Sequence, residues 1–535
     1  MTSMTVQAKR VIVVGGGIAG IAAAAELSKN PNIHVTLLEA RDRLGGRVQT
    51  HRTLIPASFE SSNLVPQGSS AIAFDFGASW VHGLDPSNPL FPLLKTGLVE
   101  YHHTYTDLMF YAPGQPALPT EESDYYWKVV WDLLDEAQAY AAEHRESIPE
   151  EMSFLQWLTE YLEKRQIIDP KAEGYLSEKV KEAVRGLVLY WADENAIPLK
   201  DASMKYMDAE EVFPGEHCFV SNGYDRVVKV LASKLRNARV LLEHVVEKID
   251  YSESEVKVVT NHGTFHADQV LITLPLGVLK AQSHSLFCPP LPSTKQHAIA
   301  HLGFGTMFKI LLFFPSCFWP PGVHFINFLP SASTIPNTDL VAYFSLSDQQ
   351  REALTVYMKD LANYSSLMPV YNISILIGYA TNHAAELMER LSDEEARMVY
   401  LCQLAHYYPT LATLEGKEFW PKMSFMTRWN QDPFARGSYT SIPVGASPRD
   451  IEAFEIPVGA RVYEQLDGNN DYEQDGDDSY SSSSTAAVMA VDDLEAGRVF
   501  FAGEHTSKAH FASVQGALIT GRREAAKILG QGSFF

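Results

Sequence analysis

The chain has 535 residues, 46% of them hydrophobic, with 43 Lys and Arg against 65 Asp and Glu and a formal charge of −22 at pH 7. That length suits more than one buried core, and two interleaved domains are expected. The acidic balance disfavours nucleic-acid binding, and the four cysteines, Cys218, Cys288, Cys317 and Cys402, are too scattered for a disulfide scaffold or a zinc site.

In chain order, apolar Val11 to Val14 predict a buried strand, and Gly15, Gly17 and Gly20 follow at G-x-G-x-x-G spacing. Ile18 to Leu27 reads as a helix, with Ile18 and Ala19 in its first turn, and Ile33 to Leu38 as a second strand closed by Glu39. This register predicts a dinucleotide site. The first glycine permits the turn, the second lets backbone N–H groups approach a pyrophosphate at the helix N-terminus, and the third lets helix and strand pack closely. Glu39 is placed to accept ribose hydroxyls. The stretch after it, ARDRLGGRVQT, contains Ala40, Arg41, Gly46 and Arg47, and Arg47 offers a guanidinium fork for two phosphate oxygens. This extension resembles the G-G-R segment of FAD-binding amine oxidases, which nicotinamide dehydrogenases lack. The dinucleotide expected is therefore FAD.

Further along come Gly77-Ala78-Ser79-Trp80 and then His82. The strands read at Val240 to Ile249 and Gln269 to Leu279 are expected to be buried. Lys309 stands inside an apolar run around Leu311 that Pro315, Pro320 and Pro321 interrupt, so no membrane span is expected there. Arg428-Trp429 and Gly437-Ser438-Tyr439 form an aromatic block, and Asp467 to Thr485 is an acidic, Ser-rich stretch expected to be a disordered surface insertion. The strand Arg498 to Ala502 leads into Gly503-Glu504-His505-Thr506, and Val514 to Leu529 reads as a closing helix. The N-terminal MTSMTVQAKR leaves no room for a signal peptide and GQGSFF lacks an S-K-L ending, so a cytoplasmic location is expected.

Together these blocks resemble the flavin-containing amine oxidase superfamily, and most of all its polyamine oxidases. The resemblance implies an α/β fold: a doubly wound, Rossmann-like FAD domain of the glutathione-reductase type, built from residues 1–105, 216–304 and 441–535. An interleaved α+β substrate domain is expected from 106–215 and 305–440. It implies that Gly77, Ala78, Ser79, Trp80, Val246, Trp429, Gly503, Glu504, Ser513 and Val514 contact FAD, with Val246 at the adenine and Glu504 at the ribityl or pyrophosphate portion. It assigns Lys309 to a water at flavin N5, His82 to the substrate tunnel and Tyr439 to an aromatic wall. RGSYT has no cysteine, so FAD is expected to be non-covalent. Phe511 and Ser513 stand where relatives vary between tyrosine and small residues, which implies a pocket wide enough for a thin polyamine. The expected reaction is oxidation of spermine, spermidine or N1-acetylated forms by hydride transfer to the flavin, with O2 giving hydrogen peroxide. The expected partners are thus a small amine and O2, with no metal, nucleic acid or membrane. Another amine or L-amino-acid oxidase is the alternative, and would need an arginine facing the flavin. A demethylase-like flavin scaffold would need an added helical domain or basic tail.

Overall fold

A computed structural model of the protein describes residues 8–54, 71–103, 108–112, 115–164, 177–320, 322–329, 338–354, 360–367, 373–459 and 497–531. The acidic stretch 467–485 lies outside the described residues.

Strands β1 (Lys9–Val14), β2 (Ile33–Leu38), β3 (Arg239–Leu241), β4 (Gln269–Ile272) and β5 (Val499–Phe501) form one sheet in the order β5-β4-β1-β2-β3, with every pairing parallel. A parallel sheet buried on both faces needs nearly continuous apolar strands, which explains VIVV, QVLI and VFF. Alternation along β1 divides the two faces. Val11 and Val13 join Ala19, Ala23, Leu271 and Phe500 in one cluster, while Ile12 and Val14 join Ile249, Val258, Ile272 and Phe287 in another. Helix α1 (Ile18–Leu27) belongs to the first face. Helix α2 (Val514–Ile528) packs along it so closely that a Cβ on Gly521 would lie 2.2 Å from the Ala19 carbonyl oxygen. The other face is covered by a four-stranded sheet containing Val246–Asp250, Val256–Thr260 and Gly263–Ala267.

Two expected strands are corrected here. The run Val240 to Ile249 is two strands in two sheets, because Glu243 takes a positive φ of 60° and turns the chain between Leu241 and Val246. Nor is it the buried run expected: Leu242, Glu247 and Lys248 are exposed and Ile249 alone is fully buried. The run Gln269 to Leu279 ends as a strand at Ile272, since Pro275 precedes a helix over Leu276–Leu286.

The rest of the described chain builds a six-stranded, mostly antiparallel sheet around Met307–Phe314 and a helical cluster that includes Thr120–His144, Phe154–Lys164 and Glu178–Glu194. Period two along Met307–Phe314 sends Phe308, Ile310, Leu312 and Phe314 into one core. Leu311 and Phe313 face the other way, against Ile72, Phe74 and Phe219. Lys309 shares that second face.

Candidate active site

Between these units runs a cavity of about 860 Å³, the size of a ligand site. Every site residue expected from the sequence lines it except Gly20. Gly20 is the glycine expected to pack: a Cβ there would sit 1.9 Å from the Gly15 carbonyl oxygen.

One arm of the cavity suits a dinucleotide. Gly15 has φ +107° and donates its N–H to Leu38, closing the turn. A Cβ on Gly17 would meet nothing within 4 Å, so this glycine borders open space where a ligand can press against the backbone. Among the described residues no side chain caps α1, which leaves the N–H groups of its first turn open at an anion-attracting helix end. Glu39, buried at the end of β2, accepts N–H groups from Gly16 at 2.6 Å and Arg41 at 2.8 Å, and its oxygens keep lone pairs for hydroxyls. These features fit FAD.

Both arginines of this arm are anchored. Arg41 pairs with Asp432 at 2.8 Å. Arg47 uses one nitrogen, Nη1, to reach the Ser438 carbonyl at 2.5 Å and Glu504 at 2.9 Å. Glu504 is buried beside Gly503 and is fully engaged: Arg47, the Thr440 hydroxyl and the N–H groups of Thr440 and Ala512 all donate to it. Burial alone would raise its pKa, but the Arg47 charge, His505 and these hydrogen bonds outweigh it, and the carboxylate is held below its usual range. Ser513 caps α2, accepting from the Gly516 N–H at 3.0 Å.

The lysine is built into the junction of the two units. Lys309 is 6% exposed and its ammonium donates to the Gly77 carbonyl at 2.5 Å and to the Ser79 hydroxyl at 3.1 Å. The loop that receives it is fixed twice more: Trp429 donates from its indole N–H to the Phe76 carbonyl at 3.1 Å, and a Cβ on Gly77 would fall 1.7 Å from the Arg47 carbonyl oxygen. Beneath the loop lies Asp75, 1% exposed, which accepts from the Thr50 hydroxyl at 2.5 Å and the Tyr224 N–H at 3.1 Å. Burial pushes the lysine down and the carboxyl up, and their mutual attraction opposes both shifts. Sequence reading missed Asp75, although an acid at the end of the buried strand Ile72–Asp75 is the same signal that singled out Lys309.

The second arm is acidic. Glu194, at the end of the helix Glu178–Glu194, and Glu210 both line it, and neither makes an ion pair with a described residue. Burial pushes each up to about 7, and the charge of Glu194 adds to the shift of Glu210. Tyr439 donates its phenolic O–H to the Glu194 carbonyl at 2.6 Å. His82 touches the water-accessible interior of the cavity while protein encloses it. That enclosure, with His217 edge-on at 4.9 Å, holds its imidazole neutral with a pKa near 4. Glu194 and Glu210 carried no motif and could be found only by folding the helical segment onto the cavity.

Residues 18–529 match the model of the family of flavin containing amine oxidoreductases. The chain belongs to this family. As a flavin-containing amine oxidoreductase it is an FAD-dependent enzyme. It is 32% identical over 462 residues to Polyamine oxidase 5 of Oryza sativa subsp. japonica, covering 84% of this chain and 81% of that one. It is 27% identical over 560 residues to the Peroxisomal N(1)-acetyl-spermine/spermidine oxidase of Homo sapiens, covering 97% and 94%. Among solved structures it is similar in fold to a putrescine oxidase bound to putrescine, with a TM-score of 0.65 at 19% identity, covering 98% of this chain and 99% of that one. No helix among the described residues of this amine oxidoreductase is long and apolar enough to cross a membrane.

Proposed function

We propose that this enzyme is a polyamine oxidase, taking spermine, spermidine or an N1-acetylated form and binding FAD without a covalent bond. The observation that carries the substrate reading is the acidic arm. Two carboxylates on the cavity wall, Glu194 with its surface open to the cavity and the half-buried Glu210, make no ion pair with a described residue, and a substrate with several ammonium groups supplies that charge. The runner-up, an amino-acid oxidase, needs an arginine for the substrate carboxylate. The arginines on the cavity wall, Arg41 and Arg47, stand on the cofactor arm and are held by Asp432 and Glu504. Non-covalent binding is supported by the cysteines, none of which lines the cavity.

In this reading Gly15, Gly17 and the α1 N-terminus hold the pyrophosphate, Glu39 the ribose, and Val246 the adenine side, while Glu504 acts on the cofactor through Arg47. The chemistry that FAD supplies when bound is acceptance of a hydride at N5 and its delivery to O2 as hydrogen peroxide. The protein must present a nitrogen with a free lone pair while the other nitrogens stay charged. Glu194 and Glu210 hold the charged ones, and the neutral imidazole of His82 hydrogen-bonds the amine chain. Tyr439 walls the reacting carbon, and Lys309, with one ammonium proton left after Gly77 and Ser79, holds a water at the reaction centre. The imine released to water hydrolyses to an aldehyde and a shorter amine. The finer architecture proposed is the doubly wound FAD domain of three chain segments with an interleaved substrate domain, supported by the parallel sheet that unites β1, β3, β4 and β5 from distant parts of the chain.

A peroxide-coupled assay across spermine, spermidine, their N1-acetyl forms, benzylamine and an L-amino acid tests this. A marked preference for the polyamines is expected. Preference for benzylamine or the amino acid would overturn the substrate reading while leaving the family intact.

A further inference from the structure

Beyond the two inner carboxylates, the cavity wall continues outward along one face of the helix Thr120–His144. Trp127, Trp131, Asp135 and Gln138 all line it, at spacings that keep them on one side of the helix. The wall is continuous from the inner site. Tyr439 hydrogen-bonds the Glu194 backbone, and the Glu194 carboxyl hydrogen-bonds Tyr190. Tyr190 lies edge-on to Trp127 at 5.5 Å, and Trp127 edge-on to Trp131 at 5.7 Å. Trp131 is 44% exposed, so its ring is accessible from the cavity it lines. Asp135 and Gln138 have no hydrogen-bond or ion-pair partner among the described residues. Asp132, on the neighbouring face, is by contrast paired with Lys128.

We propose that Trp131 and Asp135 form an outer ammonium-binding subsite, which reads the far end of a long polyamine and so selects for chain length. An indole face attracts a cation, and a carboxylate one turn on, about 6 Å along the helix axis, closes on it from the other side. Because Trp131 and Asp135 stand on the same cavity wall as Glu194 and Glu210, an amine long enough to reach past the inner carboxylates meets the outer pair with its far ammonium group. The subsite rests on the polyamine reading of the inner site. It adds a length requirement that the inner site alone does not impose.

The test uses the holoenzyme with three variants, Trp131→Ala, Trp131→Phe and Asp135→Asn, and amines of graded length from a short N-alkylamine through spermidine to spermine. Peroxide formation gives kcat and KM for each. Trp131→Ala is expected to raise KM for spermine by about threefold to thirtyfold with little change in kcat, in keeping with one cation–π contact. The effect should shrink as the amine shortens, Trp131→Phe should recover much of the loss, and Asp135→Asn should act in the same direction. An equal loss for every amine, or none for spermine, overturns the outer subsite while the polyamine reading stands. If the unaltered enzyme oxidises the short amine and ignores spermidine and spermine, the polyamine reading fails and the subsite fails with it.

Discussion

At the scale of single residues, the site depends on charges placed where protein has displaced water. Lys309 is buried with its ammonium donating to the Gly77 carbonyl and the Ser79 hydroxyl, while the attraction of Asp75 opposes the loss of its proton. Lys309→Met preserves the apolar stem but removes the donor. Losing a hydrogen bond from a charged group of this kind is expected to slow flavin reduction or reoxidation about tenfold to a hundredfold, with FAD still bound. Stopped-flow absorbance separates the two half-reactions, and wild-type rates in both would make Lys309 structural. The inner carboxylates bring a pH dependence of definite sign. Glu194 and Glu210 sit near 7, raised by burial, so each is neutral below that pH and charged above it. Binding of a cation should therefore tighten as pH rises through 7. An alkyl-guanidine inhibitor stays charged over the whole range and isolates the protein's own titration. Its Kd, followed by flavin absorbance, should weaken below pH 7 in the native enzyme, less so in Glu210→Gln, and least in the variant that combines Glu194→Gln with Glu210→Gln. A flat profile in the native enzyme would remove these carboxylates from the binding site.

At the scale of elements, the closest tolerance is between α1 and α2. A methyl group on Gly521 meets the Ala19 backbone, which no rotamer change can relieve. Gly521→Ala is expected to cost at least the usual 1–3 kcal/mol of overpacking, about the upper end or beyond, and to loosen the α1 N-terminus with it. Thermal unfolding and the flavin-to-protein absorbance ratio should both fall; an unchanged ratio would show that α1 holds its place without α2. Element by element, the sequence was most readable where one local segment carries the whole signal. The glycine spacing, α1 and Glu39 were legible because a strand, turn and helix in succession need particular residues at particular places. The run Val240 to Ile249 misled because the connection over residues 242–245, with its positive φ at Glu243, has no glycine, proline or other turn residue to announce it. The acidic arm could not be read at all, since Glu194 and Glu210 become a pair only after the helical segment folds over the cavity, and neither differs in sequence from a surface acid.

At the scale of the whole molecule, chain segments far apart in sequence meet in one sheet and one cavity. The acidic stretch Asp467 to Thr485 falls, in sequence, between two described segments that meet each other. Val458 and Val499 pair with each other, Val458 donating to Val499 at 2.8 Å and Arg498 donating back to Val458 at 2.8 Å. Deleting Asp467 to Thr485 leaves that clasp in place, so turnover and melting temperature are expected to stay close to those of the full chain, as measured by the peroxide assay and calorimetry. A large loss would mean that the acidic stretch takes part in catalysis. The clasp has a second consequence. Everything after it, β5 at the edge of the parallel sheet and α2 with Glu504 and the capped helix end, is a short piece that contributes one side of the cofactor arm. Separated from the rest at this point, the enzyme becomes a two-fragment system in which neither polypeptide alone can retain flavin, and the yellow colour itself reports that the halves have found each other.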